Sequence, residues 1–369
     1  MNTVRIGVIG LGYIGAVHAH YLAEKKVTRA DLTAVCSQEP AQLQPFIGKA
    51  ATFDNSAALI RSGLVDAVII ATPHYSHPDI GIDAFQYGLH VLCEKPLAAH
   101  KADGERLLAA HRESRLKFAV MFNLRVNPIY KRIKEIVDSH HLGPVRRINW
   151  IMTDWFRSNA YYSSAGWRAS WKGEGGGILL NQYAHHLDLI QWMFGMPRRV
   201  RAFCQFGKYH PIEVEDEATA YLDYPNGVSC VFVCSTGEAP GANRLEIVGD
   251  LGTLTAEGSR MYVATNDLSA QRLAETSQDW TSKPKFREED MHFAPIGGGH
   301  SQITQNFIDA ILDGVPLVAP AEEAIRSLEL ANAMIYSTVT NQDVQLPLDG
   351  EAYMATLQKL IAGSKPRNA

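Results

Sequence analysis

The feature that most constrains this chain is how it begins. Val4 to Ile9 is a short apolar run rich in β-branched residues, and it leads directly into Gly10-Leu-Gly12-Tyr13-Ile14-Gly15 and a helix-like stretch, Ala16 to Lys25. That order reads as strand, tight glycine turn, helix. Gly10 permits the turn, Gly12 lets the backbone approach a pyrophosphate, and Gly15 lets helix and strand pack closely. The start of the helix, with Tyr13 and Ile14 in its first turn, then faces the phosphates. A second strand, Asp31 to Cys36, follows at βαβ spacing, which favours a dinucleotide-binding unit over a glycine-rich turn.

At the end of that second strand, an NAD-binding unit usually carries an acidic residue for the adenosine ribose hydroxyls. Here the residues are Ser37 and Gln38. Ser37 lacks the charge that repels a ribose phosphate, and Gln38 supplies no cation to attract one, so the expected cofactor is NAD or NADP. Leu64 to Ala71 reads as a buried parallel strand ending at Thr72-Pro73, with His74 and His77 just beyond. Pro78 to Tyr87 reads as a helix stopped by Gly88, and Leu89 to Cys93 as a strand ending in Glu94-Lys95-Pro96. Pro96 pushes Lys95 toward extended backbone and so fixes its direction. A charged pair at the carboxyl end of such a strand, where ligands sit, is a site candidate.

These motifs carry a resemblance. GLGYIG, ATPHYSHP and GLHVLCEKPLA, then Asn123-Leu-Arg125 with Pro128, Trp167-Arg168, the run from Gly175 to Asp188 and the helix-like Asn306 to Gly314 are together similar to the Gfo/Idh/MocA oxidoreductases. The similarity spans nearly the whole chain except roughly residues 259–299. It implies an α/β Rossmann domain followed by an α+β domain with a large, mostly antiparallel open sheet. It also implies a carbohydrate substrate and a homodimer or homotetramer. By the same resemblance, Lys95 hydrogen-bonds a reacting hydroxyl and His185 acts as acid/base. Thr72, Pro73, His77 and Glu94 line the nicotinamide and its ribose, with Lys95 also on the cofactor, while Arg125, Trp167 and Arg168 approach cofactor or sugar and Asn181 and His185 the substrate.

The residues from Gly175 onward support this reading in their own right. Asn181, His185 and Asp188 stand at i, i+4 and i+7, so a helix opened by Gly175 to Gly177 would put them on one face, away from Leu180, Leu187 and Ile190. The plainer alternative is an interior His185 hydrogen-bonded to Asn181. His186 and Tyr183 read as neighbours, not participants. Many family members place an Asp where this chain has Asn181; the Asn-Gln form occurs in branches acting on sugar nucleotides and glycosides. An amide orients an imidazole without stabilising its cation, which shifts more of the proton transfer onto Lys95.

Past Gly143-Pro144 the texture becomes strand-like, in Val145 to Phe156, Arg199 to Phe206, Ala218 to Tyr224, Val228 to Ser235 and Arg244 to Val248. Asn226-Gly227 is a hairpin signal. The expected division is a dinucleotide-binding domain over residues 1–125 and a substrate and oligomerisation domain over 126–369, with closing helices within 302–338. Lys+Arg number 35 against 39 Asp+Glu, a net charge of −4 without long blocks of either sign, which argues against a nucleic-acid partner. The five cysteines show no zinc spacing, so no metal is expected and the thiols read as reduced. The start of the chain lacks the pattern of a signal peptide, and no apolar run approaches membrane-spanning length, so the expected location is cytoplasmic.

Three functions fit this reading. The first is an NAD(P)-dependent dehydrogenase or reductase of a sugar, inositol or glycoside. The second is a redox-neutral enzyme that oxidises a glycoside only transiently with tightly held dinucleotide. The third is a dinucleotide-sensing regulator, against which the presence of both Lys95 and His185 argues.

Overall fold

The computed structural model describes residues 2–294 and 298–364. The β-branched runs of the first third form a six-stranded sheet of β1 (Val4–Ile9), β2 (Ala30–Cys36), β3 (Ala51–Phe53), β4 (Ala67–Ile70), β5 (His90–Cys93) and β6 (Phe118–Val120). The order is β3-β2-β1-β4-β5-β6, and every pairing is parallel. Strand order therefore reverses between β1 and β4. The crevice beyond their carboxyl ends is where such sheets bind ligands. Gly10 and Thr72 both sit at its mouth.

The second sheet has nine strands: β7 (Val145–Met152), β8 (Arg199–Phe206), β9 (Glu215–Asp223), β10 (Ser229–Ser235), β11 (Asn243–Gly249), β12 (Gly252–Glu257), β13 (Arg260–Asn266), β14 (Phe286–His292) and β15 (Val344–Gln345). Their order is β14-β13-β12-β11-β7-β10-β9-β8-β15, antiparallel except between β7 and β10. The stretch without family motifs thus supplies β13, β14 and the short helix Ala270–Thr276. Side chains on a strand alternate between faces, so one row across the sheet is buried: Ala202, Ala220, Phe232, Trp150, Leu245 and Ala256 are in register. That row packs toward the helices Ala184–Phe194 and Ala321–Thr340. The opposite face leaves Phe203, Tyr221 and Ile151 exposed.

The helix His300–Asp313 corrects the expected division, which grouped it with the second domain. Ile303, Phe307 and Ile308 share a core with Val4, Ile6, Val8 and Leu22, so this segment packs back on the first sheet. Apolar positions on both sides were legible; which core they fill was not. A further helix, Gly350–Ala362, closes the chain, capped by Asp349, whose carboxylate accepts from the backbone N–H groups of Glu351 and Ala352. All five cysteines are buried and free. Among the described residues no helix is long and apolar enough to cross a membrane.

Candidate active site

The glycine turn after β1 is shaped by close approach. Gly10 has φ +91°, and a Cβ there would lie 2.7 Å from the carbonyl oxygen of Ala71. A Cβ on Gly15 would lie 1.8 Å from the Gly10 carbonyl oxygen. Both positions require glycine on steric grounds. A Cβ on Gly12, by contrast, would meet no atom within 4 Å. Gly12 is also the N-cap of the helix Tyr13–Ala23 and supplies no side-chain cap, so the first amides of that helix are left for a ligand. Ile14 lies in that first turn, and the Tyr13 ring is 87% exposed over the turn. This open, glycine-lined helix start fits a dinucleotide pyrophosphate.

At the end of β2, Ser37 is buried, and its hydroxyl donates to Gln42 Oε1 at 2.7 Å while accepting from the backbone N–H of Glu39 at 3.1 Å. At the end of β4, the Thr72 hydroxyl accepts from Ser76 at 2.8 Å. His77 differs from the expectation that it lines the nicotinamide. Its two ring nitrogens lie 2.8 Å from the Thr72 carbonyl oxygen and 2.9 Å from that of Pro96, so the buried ring braces the two loops from behind. Pro73 opens the turn between them.

Glu94 is buried at the head of a hydrogen-bonded chain. His18 Nε2 lies 2.7 Å from Glu94 Oε1, its Nδ1 lies 2.6 Å from the Tyr21 hydroxyl, and Tyr21 meets Thr304 at 2.6 Å. This chain ties β5, the glycine-turn helix and the returning helix together. Lys95 follows, joined to Pro96 by a cis peptide bond. Its ammonium donates to the backbone oxygen of Asn181 at 3.0 Å and to Asn181 Oδ1 at 3.3 Å. Burial lowers the Lys95 pKa below its ordinary value, opposed by the charges of Glu94 and Glu174.

Asn181 corrects the expectation of a shared helical face. The helix begins only at Ala184, and the preceding residues form successive turns. The cause is Glu215, whose Oε1 accepts from the backbone N–H groups of Gly177 at 2.8 Å and Leu179 at 3.1 Å. The Asn181 amide instead donates to Glu174 Oε1 at 2.5 Å. The other Glu174 oxygen accepts from the Ala169 backbone at 2.6 Å. This chain sets a carboxylate behind an amide: Glu174, Asn181, Lys95. Neither Glu174 nor Glu215 was singled out from the sequence, because only the folded turn brings them here.

His185 is 8% exposed, edge-on to Phe122 at 6.0 Å, and its Nδ1 has no hydrogen-bond partner among the described residues. The plainer alternative, a ring satisfied by Asn181, does not hold. Burial, then the charges of Lys95, His186 and His300, push its pKa well below the ordinary 6.5. His186 packs on Trp150 and is pushed down to about 3 by burial.

Asp188 and Arg125 form a separate unit. Arg125 donates Nε to Asp188 Oδ2 and Nη2 to Asp188 Oδ1, both at 2.7 Å, and Nη1 to Glu323 at 2.6 Å. Fully buried and spent on carboxylates, Arg125 does not approach cofactor or sugar as expected; it joins the end of the first domain to two helices of the second. Trp167 lies edge-on to His74 at 5.4 Å, with the Arg168 guanidinium 4.6 Å from its ring centre. Among the described residues no group of His, Cys, Asp and Glu could hold a metal ion.

Three buried imidazoles give a pH prediction. His74, His185 and His186 all have folded pKa values below 6.5. As pH falls through about 6.5, the unfolded chain takes up protons that the folded one refuses, so stability present above that pH is lost below it. Thermal melts should show Tm falling from about pH 7 to about pH 5. A Tm that rises over this range would contradict the prediction and put the opposing buried carboxyl groups of Glu174, Asp188 and Glu215, whose pKa values burial raises, ahead of these rings.

The fold, the glycine cradle and the strand-end residues define an NAD-binding Rossmann protein of the oxidoreductase class. The chain belongs to the Gfo/Idh/MocA family: residues 4–122 match the oxidoreductase family model with the NAD-binding Rossmann fold, and residues 130–255 match the GFO/IDH/MocA C-terminal domain. It is 25% identical over 366 residues to the inositol 2-dehydrogenase of Rhizobium meliloti, covering 93% of this chain and 99% of that one. It is 25% identical over 289 residues to the levoglucosan dehydrogenase of Pseudarthrobacter phenanthrenivorans, covering 69% and 73%. The WlbA dehydrogenase of Bordetella pertussis, solved with NADH and UDP-GlcNAcA, superposes with a TM-score of 0.79 at 26% identity, covering 94% of this chain and all of that one.

Proposed function

We propose that this NAD-binding oxidoreductase interconverts a secondary hydroxyl and a ketone on a sugar, inositol or glycoside, with Lys95 and His185 as its acid/base pair. One observation carries the reading. Lys95 at the carboxyl end of β5 turns its ammonium into the second domain, within electrostatic reach of a buried, neutral imidazole whose Nδ1 has no hydrogen-bond partner among the described residues. The relatives support the substrate class through their names: inositol, levoglucosan and a sugar nucleotide are cyclic polyols or glycosides.

When bound, the nicotinamide ring accepts the hydride from the substrate carbon. The protein's share is orientation and proton transfer. The Lys95 ammonium donates a hydrogen bond to the substrate hydroxyl oxygen and stabilises negative charge as it develops there. His185, neutral at physiological pH, accepts the hydroxyl proton; in the reverse direction it returns that proton to the alkoxide oxygen. Asn181 and Glu174 hold the ammonium in place and lend it a counter-charge across one amide. Glu94, anchored through His18, fixes the backbone from which Lys95 departs.

The test is nicotinamide absorbance as purified protein meets free sugars, inositols, glycosides and sugar nucleotides, with NAD and NADP in separate runs. Sustained reduction of added dinucleotide by one of these classes is expected. Product formation without net change in the dinucleotide would replace this reading with the redox-neutral one.

A further inference from the structure

The mechanism leaves two arginines beside the site unused. Arg157 and Arg168 both stack on Tyr161, with guanidinium carbons 4.6 Å and 4.7 Å from its ring centre. Arg157 also lies 5.2 Å from the ring centre of Trp155. Its backbone is pinned on both sides: the N–H donates to the Thr236 carbonyl at 2.9 Å, and the carbonyl oxygen meets His210 Nε2 at 2.8 Å. Arg168 Nη1 donates to the Tyr161 hydroxyl at 2.8 Å, which also accepts from Gln182 at 2.9 Å. Gln182 directly follows Asn181, the partner of Lys95. The two guanidinium groups are thus positioned by aromatic rings and tied to the reacting end of the cleft.

What they lack is a counter-charge. Among the described residues neither forms an ion pair with a carboxylate, and the Nε of each is buried without a hydrogen-bond partner. Arg125, the other arginine of this region, meets two carboxylates. Glu174 is the carboxylate whose charge reaches Arg168, yet its two oxygens are already taken by the Ala169 backbone and Asn181. Arg157 and Arg168 also lie close enough to Lys95 for their charges to disfavour its own. Three cations therefore converge on a site whose two carboxylates, Glu94 and Glu174, are already hydrogen-bonded to other groups, and a neutral sugar would supply neither guanidinium with a counter-charge. Guanidinium groups stacked on aromatic faces keep their donor edge for a planar anion.

We propose that Arg157 and Arg168 form an anion subsite, so that the preferred substrate is a sugar bearing a carboxylate or a phosphate. The inference rests on the proposed placement of the reaction at Lys95 and His185, and deepens it. Arg157 belongs to none of the family motifs and is visible only through its stacking.

Calorimetric titration of the protein with NADH bound tests it, using glucuronate, glucose 6-phosphate and glucose at one ionic strength. At least one of the two anionic sugars is expected to bind about tenfold or more tightly than glucose. Glucuronate ahead identifies a carboxylate, glucose 6-phosphate ahead a phosphate. Arg157→Gln and Arg168→Gln should each reduce that preference about tenfold, with NADH affinity retained as the check that the variant is folded. Equal binding of all three sugars by the wild type overturns the proposal even where a variant does not fold. A preference that survives both substitutions overturns it too. Failure of NADH to bind would instead count against the proposed function, so the two failures are distinguishable.

Discussion

Replacing Lys95 with alanine is expected to lower turnover about a thousandfold, with NADH affinity changed by no more than about twofold. The size follows from what the ammonium does. In the proposed mechanism it is the group that meets charge developing on the substrate oxygen, and its hydrogen bonds run to Asn181, not to the glycine cradle. The pyrophosphate site, made by Gly10, Gly12 and the helix start, loses no atom in this variant. Steady-state rates paired with a titration of NADH fluorescence read both quantities. Wild-type turnover in Lys95→Ala would remove the assignment. A parallel loss of NADH binding would show that Lys95 holds the cofactor instead of the reacting oxygen.

Arg125→Met is expected to destabilise the fold by about 3–5 kcal/mol, because it leaves Asp188 as a buried carboxylate without its bidentate partner. This is the second large effect, and it falls on stability, not chemistry. The double variant Arg125→Met with Asp188→Leu should recover most of the loss, since removing both charges of a buried pair is often close to neutral. Denaturant melts of the three proteins measure it. A single variant as stable as the wild type would mean that the pair is not buried and paired as described. A folded single variant with lost activity would restore Arg125 to the substrate site.

The parts of this molecule written in local sequence were legible. Gly10 and Gly15 each answer a contact within a few residues of chain or on the neighbouring strand, and Asn226-Gly227 turns β9 into β10 as its composition demands. The illegible parts depend on distant partners. Asn181 leaves the helix of His185 because Glu215 pins the amides of Gly177 and Leu179 from 38 and 36 residues away. Arg125 looks like a ligand residue in a motif, yet Asp188, 63 residues on, claims it. His77 sits in a cofactor-side motif, and two backbone carbonyls use both of its nitrogens. The periodicity of residues 300–313 shows an apolar stripe but carries no information about which of two cores it fills. Spacing reports the face of an element; the partner of that face is decided by tertiary packing.

The central claim is that a hydride leaves a carbinol carbon of a cyclic polyol held at Lys95 and His185. It is tested most directly with substrate fully deuterated at carbon, using the polyol that best reduces NAD or NADP, followed by mass spectrometry of the reduced dinucleotide. The account predicts one deuterium in the nicotinamide ring for each ketone formed. Ketone accumulating beside unlabelled reduced dinucleotide would contradict it.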